Sequence, residues 1–126
     1  MKSKWSKSWK SSKQPRKQRK YILNAPLHIV RKLMSVRLTK DLKQKYSKRN
    51  IPVRKGDTVK IMVGQYKGKI GKVDNVDLKH KRVYVEGIFR TKKDGNKIPL
   101  ASQPSNLMIM DLNLDDKLRR KALERK

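Results

Sequence analysis

The sequence predicts a mostly-β fold, a small barrel or sandwich, with a basic arm and short helices before it and a helix after it. Two patterns lead to this prediction. In the middle of the chain, short stretches of alternating apolar and polar residues are separated by turns rich in glycine and asparagine, which is typical of a small all-β domain. Before them, apolar residues recur at helical spacing. We therefore divide the chain into residues 1–20, 21–50, 51–113 and 114–126.

Residues 1–20 are predicted to form a basic arm that is disordered until it binds a partner. They mix Lys, Ser, Arg and Gln without a period, and Trp5 and Trp9 have no core to join. Such unbalanced positive charge favours contacts with phosphate, and we expect the tryptophans to contact RNA or a neighbouring protein. A solvated tail without a function is the alternative.

The segment after the arm is predicted to contain two short helices. Asn24 can cap the first, Pro26 falls in its first turn, and the apolar residues at helical spacing are Leu27, Val30, Leu33 and Met34. The second helix, around residues 39–47, has Leu42 and Tyr46 four residues apart. We expect the two helices to form a hairpin that lies across a groove or packs on the barrel.

Six strands are predicted in the β domain, separated by glycines and other turn residues. Gly71 interrupts the second strand, which indicates a bulge or a close backbone approach. Asp94, Gly95 and Asn96 favour positive φ angles and predict a tight hairpin. Phe89 lies in an apolar stretch and is assigned to the core. The predicted strands are residues 58–63, 69–76, 82–86, 87–91, 97–101 and 107–112.

The last segment is predicted to be a helix. Asp115 and Asp116 lie at its start and basic residues lie at its end. Because a helix is electropositive at its N-terminus and electronegative at its C-terminus, this order of charges stabilises it.

A glycine-rich loop between the first two strands is the most informative feature of the sequence. Its glycines are Gly64, Gly68 and Gly71, and we call residues 64–71 the glycine loop. Lysines lie in and beside it, namely Lys60, Lys67, Lys69 and Lys72. Backbone N–H groups freed by glycine, together with ammonium groups, suit phosphate oxygens, and Tyr66, expected to be exposed, suits stacking on an unpaired base. A plain hairpin turn with solvated lysines is the alternative.

The glycine loop does not match the P-loop of nucleotide hydrolases. That motif needs four residues between its glycines and a Ser or Thr after its lysine. Here three residues separate Gly64 from Gly68, and Ile70 follows Lys69. The loop also leads into a predicted strand rather than a helix, so nucleotide hydrolysis is excluded.

The charge of the chain points to a polyanionic partner. The formal net charge is +26, and no acidic residue precedes Asp41. Such self-repulsion disfavours a compact state unless nucleic acid or an anionic surface supplies counter-charge. Membrane binding would need an amphipathic helix with a large apolar face or a long apolar run, and the sequence has neither. Because it also lacks cysteine and a secretory signal, we expect an intracellular protein.

The sequence offers no catalytic candidate and no cofactor or metal site. His28 and His80 are the only histidines, and we expect them to be surface or phosphate-contacting residues. Asp74 and Asp77 lie three apart in a predicted turn, where local hydrogen bonds or screening of lysines is the expected role. Asp57 is likewise expected to serve a turn.

The stretch 53–76 resembles the KOW motif. Its hallmarks here are Gly56, Asp57, Val59, Gly64, Lys67, Gly68, Gly71 and Val73. The flanks look like the archaeal–eukaryotic form of the large-subunit KOW ribosomal protein family, numbered twenty-four in bacteria and twenty-six in the older eukaryotic naming. The segments that carry this likeness are residues 24–28, 31–35, 38–46 and 104–109, and the ending at 111–117 looks archaeal. Gln103 departs from the family, whose members commonly have His there.

The resemblance implies an SH3-like β-barrel bound to large-subunit ribosomal RNA near its 5′ region. The family acts early in subunit assembly and lies close to the exit of the nascent-peptide tunnel. The implied partners are ribosomal RNA, neighbouring large-subunit proteins and nascent-chain factors at the tunnel exit, with a cytoplasmic location on the ribosome. Neither a membrane partner nor a homo-oligomer is expected. A KOW-domain transcription elongation or nucleoid-associated factor is the alternative.

The resemblance also implies which residues bind RNA. The glycine loop faces RNA, Lys67 and Lys69 contact phosphates, and the hairpin at residues 92–97 matches the family's projecting loop. The other candidates are charged or titratable side chains of the arm, the helices and the strands. Together the RNA-binding candidates are Arg16, Lys17, Arg19, Lys20, Arg31, Lys32, Arg54, Lys55, Lys60, Gly64, Gln65, Tyr66, Lys67, Gly68, Lys69, Lys72, His80, Arg90, Lys92, Lys93 and Lys97.

Overall fold

The computed structural model describes residues 5, 6, 8 and 12–125, so Trp9 and much of the predicted arm lie outside the described residues. In chain order the helices are α1 (Pro15–Asn24), α2 (Leu27–Leu33), α3 (Lys40–Tyr46) and α4 (Lys117–Glu124). The strands are β1 (Ser35–Leu38), β2 (Asn50–Pro52), β3 (Thr58–Ile61), β4 (Ile70–Asp77), β5 (Arg82–Thr91), β6 (Lys97–Ser102) and β7 (Leu107–Asp111).

The strands form one mixed sheet in the order β2-β1-β7-β3-β4-β5-β6. Its pairs are antiparallel except for β1 with β7, which run parallel. Consecutive strands β3, β4, β5 and β6 therefore make a meander, and β7 returns beside β3. The prediction of a small, mostly-β, barrel-like domain with helices before and after it is confirmed.

The core is built from alternate residues of the strands, as the two-residue period of a strand requires. The fully buried or nearly buried strand residues include Val36, Leu38, Val59, Ile61, Val73, Val83, Val85, Leu107 and Ile109. Each such side chain contributes about 1.5–3 kcal/mol relative to an exposed one. Val63 was expected on the same face as Val59, but β3 ends at Ile61 and the Val63 side chain is 59% exposed.

The N-terminal helices differ from the prediction in their bounds. Helix α1 begins at Pro15, inside the segment predicted as an arm, and none of its residues is buried. Asn24 is the last residue of α1 and caps nothing, because α2 begins at Leu27 with Pro26 before it. Ala25 is extended (φ −64°, ψ 134°), since a residue before proline is driven out of the helical region.

A strand that the sequence did not predict separates α2 from α3. In β1, Val36 and Leu38 are buried and Arg37 between them is exposed. The strand pairs with β2 on one side and with β7 on the other. The two helices therefore do not form the predicted hairpin, because the four residues between them complete the sheet instead.

Two predicted strands are one strand in the structure. Residues 82–86 and 87–91 form the single strand β5, which pairs with β4 in its first half and with β6 along its length. Gly87 has a φ of +76° and the register with β6 shifts between Tyr84 and Phe89. The irregularity at this glycine interrupts the pattern of one long strand, which is why the sequence predicted two.

Helix α4 is anchored on the sheet by a buried ion pair. The Asp57 side chain is 0% exposed, and its two carboxylate oxygens accept hydrogen bonds from Nη1 and Nη2 of Arg119 at 2.5 and 2.7 Å. The same carboxylate accepts the N–H groups of Arg54 and Asn113 at 2.9 and 3.0 Å. The expected turn role of Asp57 was therefore incomplete: it does accept a local N–H, but it also fixes a helix 62 residues away.

A second, more exposed ion pair lies beside the first. Arg54 donates to Oδ2 of Asp116, which directly precedes α4. The other carboxylate oxygen of Asp116 accepts the N–H of Leu118 at 2.8 Å and so caps the helix. The hydrogen bond from Arg54 and this capping bond together hold the pKa of Asp116 below its usual value.

Replacing Arg119 by methionine is expected to lower the free energy of unfolding by about 3–5 kcal/mol, because it leaves the Asp57 carboxylate buried and without its charge partner. The matched control is Arg120→Met, which removes the same charge from an exposed position on the same helix and is expected to change stability by less than about 0.5 kcal/mol. Urea unfolding followed by circular dichroism measures both. Equal effects of the two substitutions would contradict the anchoring role.

The pH dependence of stability is expected to reflect Asp116. Because its folded-state pKa is lowered, its contribution is fully present above the unfolded-state pKa and is lost as pH falls through the folded value. Asp116→Asn keeps the capping oxygen and removes the charge. Tm measured from about pH 6 to pH 2 is therefore expected to fall less steeply below about pH 4 in Asp116→Asn than in the wild type. Parallel curves of Tm against pH would show that the ion pair of Asp116 with Arg54 contributes nothing to stability.

Candidate nucleic-acid interface

The glycine loop is a closed turn between β3 and β4. Gly64 and Gly68 have φ angles of +97° and +89°, a region that side chains disfavour. The loop is closed by backbone hydrogen bonds from Gly68 N to Ile61 O at 2.8 Å and from Ile61 N to Lys69 O at 2.9 Å. These bonds hold the loop in one shape and leave its lysine side chains exposed.

Only part of the loop backbone is free to bind a ligand. The N–H groups of Lys67 and Lys69 donate to Gly64 O and Tyr66 O at 3.1 Å each. Within the part of the chain that the structure describes, the N–H groups of Gly64, Gln65 and Tyr66 donate to no protein acceptor. The backbone N–H groups available for the predicted phosphate contact are therefore those of residues 64–66, in the first half of the loop.

Gly71 is required where β4 passes β5. A β-carbon on Gly71 would lie 2.7 Å from the carbonyl oxygen of Glu86 and 2.9 Å from Cγ1 of Val85. The structure thus has a close backbone approach at this glycine. The register shift of β4 against β5 occurs farther along, between Val73 and Asn75.

The β5–β6 hairpin projects beyond the rest of the sheet at the same end as the glycine loop. Its outer part is a two-stranded ribbon, with Phe89 opposite Pro99 and Thr91 opposite Lys97. The turn is closed by hydrogen bonds from Lys92 N to Asn96 O at 2.9 Å and from Gly95 N to Lys92 O at 3.0 Å. Gly95 has a φ of +81°, as the turn prediction required.

Tyr66 joins the loop to the hairpin. Its hydroxyl donates a hydrogen bond of 2.7 Å to the carbonyl oxygen of Phe89, and its ring packs against the core. Tyr66 is therefore half-buried, not the exposed apex residue that the sequence suggested. Phe89 was assigned to the core, but its side chain is 39% exposed. Both differences have one cause, because the β5–β6 hairpin extends past β4. Phe89 therefore lies beyond most of the core, and its carbonyl oxygen is within reach of the Tyr66 hydroxyl.

Lysine ammonium groups lie over both aromatic rings. Nζ of Lys69 is 4.9 Å from the centre of the Tyr66 ring, and Nζ of Lys97 is 4.8 Å from the centre of the Phe89 ring. Such cation–π contacts contribute about 0.5–1 kcal/mol at exposed sites. They favour positions for two cations on the surface where the loop and the hairpin meet.

We call the glycine loop together with residues 89–99 the basic end of the domain. The structure brings to it the larger part of the predicted barrel cations. The exposed cations there are Lys67, Lys69, Arg90, Lys92, Lys93 and Lys97. Lys60 and Lys72 lie on β3 and β4 beside the loop, opposite Ile70 and Thr58 respectively. The exposed cations of the basic end form a candidate surface for a phosphate backbone, and Lys60 and Lys72 extend it along β3 and β4 toward Thr58.

Other predicted residues lie elsewhere. Arg54 is paired with Asp116, and Arg31 and Lys55 line a different groove with Val53 and Val76. Lys32 is an exposed residue of α2. The predicted cations of the arm are exposed on α1, namely Arg16, Lys17, Arg19 and Lys20.

His80 lies in the β4–β5 turn, where it is hydrogen-bonded to Asp77. Its ring Nδ1 donates a hydrogen bond of 2.7 Å to Oδ2 of Asp77, and its backbone N–H donates to Oδ1 of the same residue at 3.1 Å. These bonds, the side-chain bond first, lower the pKa of Asp77. The expected local role of Asp77 is thus seen, whereas phosphate contact by His80 stays a prediction.

Sequence reasoning missed Arg82 as a polar group near the basic end. Its side chain lines a groove with Gln65 and Gln103. No motif or periodicity marks it, because it is the first residue of a strand and follows a turn rich in other basic residues. Only the packing of β6 beside the glycine loop shows where it lies.

The described residues contain no cluster of three or more His, Cys, Asp or Glu side chains that could hold a metal ion. They also contain no helix that is long and apolar enough to span a membrane.

Comparison with known proteins agrees with the resemblance seen in the motifs. Residues 12–126 match the family model that describes the eukaryotic L26 and archaeal L24 ribosomal proteins. The large ribosomal subunit protein uL24 of Methanosphaera stadtmanae is 50% identical over 115 residues, which cover 91% of this chain and 98% of that protein. The protein of the same name from Korarchaeum cryptofilum is 49% identical over 91% of this chain and 88% of its own length. The chain belongs to the family of eukaryotic L26 and archaeal L24 ribosomal proteins.

Proposed function

We propose that this protein is a structural constituent of the large ribosomal subunit that binds large-subunit ribosomal RNA through its basic end. The observation that carries the proposal is the hydrogen bond of Tyr66 to Phe89, because it joins the glycine loop and the projecting hairpin into one cationic surface. Family membership supplies the ribosomal context. The net charge of +26 supplies the driving force for contact with RNA.

The chemistry of the basic end suits the sugar–phosphate backbone. Ammonium groups neutralise phosphates and release condensed counterions, which provides affinity that does not depend on sequence. The uncommitted N–H groups of Gly64, Gln65 and Tyr66 add short-range donors of the kind that position a protein on phosphates. The surface therefore combines long-range attraction with a fixed shape.

The exposed cations of α1 extend the proposed contact beyond the barrel. A basic segment on a helix with no buried residue has little to gain from the protein core and can lie along a separate part of the RNA. From the family resemblance we further propose that the protein binds early in subunit assembly and lies near the nascent-peptide exit tunnel. Neighbouring large-subunit proteins and nascent-chain factors are the further proposed partners.

Replacing Lys67, Lys69 and Lys72 together by alanine is expected to weaken binding to a large-subunit RNA fragment and to flatten its salt dependence. Each phosphate contact contributes about one unit to the slope of log K against log salt concentration, so the slope is expected to fall by about two to three units. Fluorescence anisotropy titrations from about 50 to 300 mM KCl measure it.

The matched control removes three cations from α4, by Lys117→Ala, Arg120→Ala and Lys121→Ala. These side chains are exposed, and α4 is anchored at Asp57, before β3, whereas the glycine loop follows β3. At about 3.3 Å per residue, the four residues of β3 separate the Asp57 anchor from the glycine loop by about 13 Å. The control is expected to change the slope by less than the loop variant. An unchanged slope in the loop variant would remove the glycine loop from the RNA interface.

A further inference from the structure

A groove beside the glycine loop has the size and lining of a site for a single unpaired nucleotide. It lies between the loop, the start of β5 and the end of β6, and its volume is about 320 Å³. Ligand pockets in proteins are commonly about 300–1,000 Å³, so the groove is large enough for one nucleotide and too small for a helical segment. It borders the basic end and shares Tyr66 and Gln65 with it.

Side-chain amides dominate the polar lining. Gln65, Gln103 and Asn106 line the groove, and none of their side chains makes a hydrogen bond within the described part of the chain. The backbone of Asn106 is fixed, since its N–H donates to Gln103 O at 3.0 Å and its carbonyl accepts Met62 N at 2.8 Å. Each amide presents two donors and one acceptor oxygen. Because these amide groups have no hydrogen-bond partner among the described residues, they are available to match the donor and acceptor edge of a base.

Arg82 supplies a cation that is not paired with a carboxylate, although Asp77 lies opposite it in the register of β4 with β5 and is hydrogen-bonded to His80 instead. Arg82 is half-buried in the groove wall, forms no ion pair among the described residues, and no acidic residue lines the groove. The neighbouring groove on the sheet differs, because Asp74, Asn75 and Asp77 line it and its carboxylates repel phosphate. A guanidinium binds phosphate oxygens with two parallel hydrogen bonds. Arg82 therefore suits the phosphate of a nucleotide whose base enters the groove.

The remaining lining is apolar or aromatic. Val63, Leu100 and Tyr66 line the groove, and Val63 is exposed although it is large and apolar. A base has an apolar face as well as a polar edge, and contact of that face with aromatic or apolar side chains favours its binding. The Tyr66 ring is covered by Lys69 on one face and packs against the core, and Val63 and Leu100 supply further apolar lining.

We propose that this groove binds one splayed-out nucleotide of an RNA, with the amides of Gln65, Gln103 and Asn106 contacting the base edge and Arg82 contacting a phosphate. The inference rests on the proposed RNA-binding function and adds base selectivity to it. The lysines of the basic end provide affinity for any RNA backbone, whereas the groove distinguishes between bases.

The test compares base preference with salt dependence in the full chain. The probes are four ten-nucleotide single strands, rA10, rC10, rU10 and r(UG)5, titrated by fluorescence anisotropy. The wild type is expected to bind the best probe at least about fivefold more tightly than the worst, the lower end of what a paired amide–base contact provides. The double substitution Gln103→Leu with Asn106→Leu is expected to remove this spread and leave the salt slope unchanged, because it removes no charge.

One control variant outside the groove and two further groove variants complete the test. Asn75→Leu removes an exposed amide outside the groove and is expected to keep the spread. Arg82→Leu is expected to lower the salt slope by about one unit. If the double variant loses its native circular dichroism spectrum, Gln65→Leu replaces it, since that side chain is exposed on the loop.

The outcomes distinguish failure of the proposed RNA-binding function from failure of the nucleotide groove. Absence of binding to every strand and to a large-subunit RNA fragment would overturn the proposed RNA-binding function. Binding of all four strands with equal affinity, or a spread that survives the groove substitutions, would overturn the nucleotide groove and leave the function standing. Loss of the spread in the groove variants alone supports the inference.

Discussion

The buried pair of Asp57 and Arg119 is the interaction on which the rest of the structure depends. Asp57 sits between the end of β2 and the start of β3, and its carboxylate accepts four hydrogen bonds from three parts of the chain. Arg119 in turn donates to the carbonyl oxygens of Asn113 and Pro52 at 2.8 and 3.3 Å. Because a buried charge without a partner costs several kcal/mol, the pair links the C-terminal helix, the tail after β7 and the connection between β2 and β3 as one unit.

The two ends of the domain differ in how their charged side chains are used. At the Asp57 end, carboxylates and guanidinium groups are used up in internal pairs, including that of Arg54 with Asp116. At the basic end, the hydrogen bonds are between backbone groups or come from Tyr66, and the lysine charges stay available. In a chain with a net charge of +26, Asp57 and Asp116 thus stabilise the fold, and Asp94 is the only acidic residue within residues 64–71 and 89–99. The surface proposed to bind phosphate can then remain cationic while the pairs at the Asp57 end stabilise the fold.

Local patterns predicted much of the fold, and the errors came from contacts distant in sequence. The strands β3, β4, β6 and β7 follow from two-residue periods and turn residues, and membership of the ribosomal family confirms the predicted non-enzymatic class. Strand β1 was missed because its four residues lie between two helical patterns and gain their partners from β7. Asp57 was interpreted as a turn residue because Arg119 is 62 positions away. The glycine loop was recognised from its glycines, but the burial of Tyr66 depended on the hairpin.

The central claim is that RNA meets the domain at the basic end, and a lysine-reactivity footprint tests it most directly. The full chain is acetylated briefly, alone and bound to a large-subunit RNA fragment, and each lysine is quantified by mass spectrometry. The account predicts strong protection of Lys67, Lys69, Lys92, Lys93 and Lys97, with Lys117 and Lys121 of α4 remaining reactive. Protection of the α4 lysines with a fully reactive loop and hairpin would contradict it.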